Sequence, residues 1–132
     1  MCWVALERGL ALAGQLDANS SVPRWTDVRD RIRQAILEQG WNPAVGAFTQ
    51  AFGSADLDAS SLLIALVGIL PGDDHRLAST VDAVIAGLSD PHGLIYRYRA
   101  DDGMTGQEGT FLLCSFWLAE ALVAIGGSDR PS

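Results

Sequence analysis

The residue best placed to do chemistry in this chain is Glu108, in the stretch Gly103-Met-Thr-Gly-Gln-Glu-Gly-Thr-Phe-Leu-Leu-Cys-Ser-Phe-Trp117. A polar, glycine-rich loop delivers this single carboxylate to the start of an apolar helical run. Unpaired backbone N–H groups and the helix macrodipole stabilise negative charge in a first turn. A glutamate held there stays ionised near neutral pH, as a general base requires. The competing reading is that Glu108 only caps its helix. Asp58 has the same setting, a carboxylate directly before the apolar run 59–70. Aromatic residues gather in the two segments that precede these carboxylates: Trp41, Phe48 and Phe52 in one, Tyr96 and Tyr98 in the other. Aromatic rings stack on pyranose faces and carboxylates bind hydroxyls, so this set suits a sugar. The plainer alternative is that the aromatics glue loops to helix ends.

The elements that position these residues follow from periodicity. Residues 1–16 read as a nearly all-apolar helix. A second helix runs from about Arg24 to Gln39, with Trp25, Val28, Ile32, Ala35 and Ile36 on one stripe and Asp27–Arg31 as an i,i+4 pair. A third, capped by Asp58, is expected through Leu70, where Pro71 stops it. A fourth covers His75 to Leu88, capped by Gly72-Asp-Asp74, with Leu77, Val81, Val84, Ile85 and Leu88 on its apolar face. A fifth runs from Gly109 to about Ile125. The connections 40–57 and 89–108 each carry a short alternating piece, Ala47–Phe52 and Ile95–Arg99, that reads as a small strand.

Helices one, three and five are apolar all round, whereas two and four are one-sided. The apolar helices begin near residues 1, 58 and 108, a repeat of about fifty residues. Two-layer packing explains the alternation, with inner helices covered on both sides and outer ones on one. The expected fold is all-α: a partial (α/α)6 barrel, or six-hairpin toroid, of about five helices and two long loops. In such a ring the outer-to-inner loops share one end, which brings Asp58, Glu108 and the loop aromatics to a common mouth.

Composition narrows the function classes. The chain has 132 residues, 48% of them hydrophobic, and a net charge of −7. All nine basic residues are arginine, against sixteen acids. That balance disfavours nucleic acid and anionic membranes as partners. No apolar run is long enough to span a bilayer and no signal sequence is evident, so a cytoplasmic location is expected. Cys2 and Cys114 read as small core residues in a reducing compartment. His75 and His92 lie far apart in loops and read as solvated; no metal or cofactor is expected. Ser115 sits in no G-x-S-x-G turn, and no glycine-rich phosphate loop follows a strand.

Four segments, MCWVALERGLALA, GWNPAVGAFTQAFGSADLDAS, GLIYRYRADDG and GQEGTFLLCSFWLAEAL, resemble in order the C-terminal part of the bacterial glycoside hydrolase family 15 proteins. That family contains glucoamylases, glucodextranases and trehalases. The resemblance covers Met1 to about Gly126, so residues 1–126 are expected to be the C-terminal portion of a catalytic domain and 127–132 a frayed tail. It implies an (α/α)6 barrel that hydrolyses α-glucosidic bonds with inversion, using a general acid on the leaving oxygen and a general base on a water. By the family pattern the base is Glu108. Asp58, Gln50 and Tyr96-Arg97-Tyr98 match family segments as sugar-site lining or loop scaffolding, and Trp41 belongs with them as a candidate substrate contact. The resemblance also implies that the acid is a Glu upstream of the first helix, where Met1 matches an internal methionine. Glu7, Glu38 and Glu120, on helix bodies, are poor substitutes.

The expectation is therefore a C-terminal fragment of an inverting α-glucosidic hydrolase. It carries the base, lacks the acid and is inactive alone. Its partners would be an α-glucoside and the missing N-terminal half of the barrel. The alternative is a non-catalytic α-helical module that binds sugar or a protein.

Overall fold

The structure is a computed structural model and describes residues 1–99 and 109–126. Helices dominate it, and the chain forms two compact units, residues 1–39 and 40–132.

In the first unit, α1 (Cys2–Leu12) and α2 (Val22–Gln39) flank a short 3-10 turn at Asn19–Ser21. The two helices pack through a close approach at Gly9, where a β-carbon would lie 3.6 Å from the Trp25 ring. Arg29 of α2 reaches Glu7 of α1 at 3.1 Å and its neighbour Asp30 at 2.7 Å. The expected Asp27–Arg31 pair is present at 3.9 Å. The first helix is shorter than expected because residues 13–17 turn, and Asp17 takes a left-handed φ of 52°. Nor is α1 covered all round. Trp3 is its buried residue, and Leu12 and Leu16 are exposed. Cys2 is exposed too, which corrects its reading as a core residue.

The second unit opens with a hairpin. β1 (Trp41–Asn42) pairs antiparallel with β2 (Ala47–Phe48) in the register Trp41–Phe48 and Asn42–Ala47. The alternating pattern had suggested a strand through Phe52, but only two of its residues pair. Asn42 makes the turn, its Oδ1 accepting the Ala44 amide at 3.0 Å and its Nδ2 donating to the Ser54 carbonyl at 2.9 Å. Gly46 supplies the positive φ of 70° that closes it.

The expected third helix is broken. A 3-10 turn, Ala59–Leu62, leads into a four-residue α3, Leu63–Leu66, and Gly68 then turns the chain at φ 71°. Ile69 and Leu70 are still buried, so hydrophobicity located the core here without dictating a helix. α4 (His75–Leu88) is found as expected, capped by Asp74, whose carboxylate accepts the Arg76 amide at 3.0 Å. Its Leu77, Thr80, Val81, Val84 and Leu88 are buried. α5 (Leu112–Ile125) begins three residues later than expected.

The core of this unit gathers Ala59, Leu62, Val81, Val84, Leu88, Ile95, Cys114 and Ala121. On α5 it covers Cys114 and Ala121, while Phe111, Leu112, Leu113, Phe116 and Val123 stay exposed, Val123 at 77%. The expectation of a helix covered on every side fails because none of the described residues packs over that face. Among the described residues no helix is long and apolar enough to cross a membrane.

Candidate functional site

The second long connection is laced to its surroundings by its backbone. Asp90 Oδ1 accepts the amides of His92 and Leu94, both at 2.8 Å, and Gly93 turns the chain at φ 82°. The returning segment donates from the Tyr96 amide to the Leu88 carbonyl at 2.8 Å. Ile95 joins it to α5 twice. Its amide donates to Ser115 Oγ at 3.1 Å, and its carbonyl accepts the Phe111 amide at 3.0 Å. These bonds leave Tyr96 partly buried against the core, its ring under the Arg99 guanidinium at 4.5 Å.

Asp58 is buried at the same place. Its Oδ1 accepts the Ser60 amide at 2.7 Å, closing the 3-10 turn as the sequence pattern suggested. Its backbone bridges Tyr98, and the neighbouring Ala59 amide donates to the Arg97 carbonyl at 2.8 Å. The free carboxylate oxygen, Oδ2, lies 3.8 Å from Arg97 Nε. The Asp58 side chain is 8% exposed and that of Arg97 52%. A buried anion thus stands behind a half-exposed cation.

Both charges reach Cys114, whose thiol lies in the first turn of α5. Burial pushes the thiol up; Arg97 opposes that shift and Asp58 adds to it. Among the described residues the buried Ser61 hydroxyl finds no hydrogen-bond partner.

Arg97, Tyr98, Gly109 and Phe111 line an open cleft of about 280 Å³. A guanidinium, a phenol, a bare backbone and an aromatic ring give this cleft polar groups beside apolar faces. Glu108 lies outside the described residues; Gly109, which follows it in sequence, is on the cleft wall.

The other expected site residues lie elsewhere. Trp41 packs edge-on against Phe48, ring centroids 5.4 Å apart, and against His75 at 6.2 Å. Gln50 is exposed, and its amide donates to the Asp56 carbonyl at 2.9 Å. Phe48 is fully buried and lines no funnel. Of the expected contacts, the structure brings Asp58 and Arg97 together at the cleft and sets Trp41 and Gln50 in and beside the hairpin. Phe111 was not anticipated as a site residue, since it reads as one more apolar position of a helix. Its bond to Ile95, a contact across 16 residues of sequence, places it on the wall.

Comparison with known proteins gives a consistent set of likenesses. A family model described as glycosyl hydrolases family 15 matches residues 1–128. A trehalase of Mycobacterium tuberculosis is 48% identical over 98% of this chain and 19% of its own length. A trehalase of Thermoplasma volcanium is 32% identical over 93% of the chain and 20% of its own length. Among solved structures, a wild-type glycosidase superposes with a TM-score of 0.73 at 29% identity, over 89% of this chain and 32% of that one. A glycosidase variant in complex with glucose gives a TM-score of 0.73 at 28% identity, over 94% of this chain and 33% of that one. The fold is thus that of part of an all-α glycosidase. The chain spans about a fifth of the length of the curated relatives it matches.

Proposed function

The chain belongs to glycosyl hydrolase family 15, and from that membership we propose that it supplies the general-base side of an inverting α-glucoside hydrolase acting on trehalose. The observation that carries this reading is the 48% identity to a trehalase, which runs along 98% of the chain. The glucose complex among the structural neighbours supports a glucosyl group as the bound unit.

In this reading Glu108 is the base. It takes a proton from the water that attacks the anomeric carbon, while an acid on the opposite face protonates the leaving oxygen. The acid comes from outside these residues. Glu7 and Glu120 lie within α1 and α5, and Glu38 in the last turn of α2.

Arg97 and Tyr98 offer donors to sugar hydroxyls from the cleft wall, and Phe111 offers an apolar face. Tyr96 serves by seating Arg99 and filling the core edge. Trp41 serves as a hairpin brace, as its edge contacts to Phe48 and His75 suggest, and Gln50 holds the turn beside it. The remaining barrel docks on the exposed apolar face of α5 and so completes the acid–base pair.

The product's stereochemistry tests this reading. Proton NMR of the first turnovers on trehalose should show β-glucose released from the α-linkage alongside α-glucose from the leaving unit. Release of α-glucose alone would indicate a retaining mechanism and remove Glu108 from the role of base.

A further inference from the structure

The cleft's cation is only half-buried, and a guanidinium on a long side chain loses much rotamer freedom when it binds a ligand. What stands behind it is unusual for that reason. Asp58 is fixed at three points: its Oδ1 by the Ser60 amide, its backbone by the bridge to Tyr98, and its neighbour Ala59 by the Arg97 carbonyl. A cap needs only one carboxylate oxygen, and serine or asparagine would cap as well. The second oxygen, Oδ2, faces Arg97 Nε at 3.8 Å, within ion-pair range and beyond hydrogen-bond length. The same backbone bonds also hold the Cα of Arg97 beside the carboxylate, so the freedom left to restrain is that of the Arg97 side chain.

We propose that Asp58 is a positioning residue that holds the Arg97 guanidinium at the cleft wall, with its outward N–H groups free to meet vicinal sugar hydroxyls. The substrate part of this proposal rests on reading the cleft as the sugar site; the positioning part does not. Only one edge of the guanidinium is engaged by Asp58, and Arg carries five donors in a fixed fork. A pre-set fork loses less entropy when it binds, so the gain appears as affinity.

The test separates the cap from the charge. Asp58→Asn keeps an oxygen for the Ser60 amide and turns an amide NH2 toward Arg97, replacing attraction with mild repulsion. Side-chain NMR on the 15N-arginine-labelled chain reads the positioning directly. Relaxation of the Arg97 Nε should report a more restricted side chain in the wild type and a clearly lower order parameter in Asp58→Asn, with the unfolding midpoint nearly unchanged. An unaltered Arg97 order parameter in a folded Asp58→Asn protein overturns the proposal, whatever the substrate.

The second reading uses trehalose hydrolysis by the enzyme with its native companions. Asp58→Asn should raise KM by roughly tenfold with little change in kcat. The double variant with Arg97→Gln should lose no more than Arg97→Gln alone, because the two residues act as one. Additive losses, or a wild-type KM in Asp58→Asn, overturn it. If Arg97 behaves as expected by NMR and the wild type does not cleave trehalose, the positioning stands and the trehalose reading falls.

Discussion

The Thr80 hydroxyl joins Phe48 to the helix behind it: Oγ1 accepts the Phe48 amide at 3.1 Å and donates to the Arg76 carbonyl at 2.7 Å. This one side chain anchors the second hairpin strand to α4. Thr80→Val keeps the shape and leaves the buried Phe48 amide without an acceptor. The loss should be about 2 kcal/mol in denaturant unfolding, while Thr80→Ser retains most of the stability.

Asp74 should set the acid limit of the fold. Its hydrogen bond with the Arg76 side chain is the main cause that holds its carboxyl down to about 2, against an ordinary 3.8. A depressed carboxyl contributes stability that is present above pH 3.8 and lost as the pH falls through about 2. Asp74→Asn keeps a capping oxygen and loses the two-point grip on Arg76 Nε and Nη2, at 3.0 and 2.8 Å. It should cost about 1–2 kcal/mol at pH 7 and be no less stable than wild type near pH 2. Urea titrations across that range check both ends.

Cys114 works at the alkaline side. Burial raises its thiol, so the native state keeps the proton to higher pH than the unfolded chain does. The stability this provides is complete below the unfolded thiol value of about 8.5 and falls as the pH climbs toward the raised native value. Cys114→Ala should flatten that fall. In the native protein a thiol reagent should label the exposed Cys2 and spare Cys114.

The uncovered face of α5 should make the isolated chain self-associate. Phe116 is 59% exposed and Val123 77%, on a helix with little polar surface. Sedimentation at micromolar concentration should show oligomers, and Phe116→Lys with Val123→Lys should shift them toward monomer. A clean wild-type monomer would show that this face needs no cover.

What the sequence made legible was the chemistry of the boundaries. The Asp74 cap, the spacing of Leu77, Val81, Val84 and Leu88, and the Asp58 cap each have a local cause, and each is present in the structure. The run Ala59–Leu70 was misread because hydrophobicity reports burial, not conformation. Gly68 breaks the helix, yet an isolated glycine inside a helical pattern is often tolerated. Trp41–Asn42 was missed as a strand because two residues carry no periodicity; pairing with Ala47–Phe48 defines them. The cleft was the least legible part. Arg97 and Phe111 meet through long-range bonds from Ala59 and Ile95, and no local pattern encodes those.

The central claim is that Glu108 is the base of a trehalose-cleaving site. Glucose release from trehalose by the enzyme with its native companions, wild type against Glu108→Gln, tests it most directly. The expected result is a fall in kcat of roughly 10²–10⁴-fold with an unchanged unfolding midpoint. A Glu108→Gln enzyme that turns over trehalose like the wild type would contradict it.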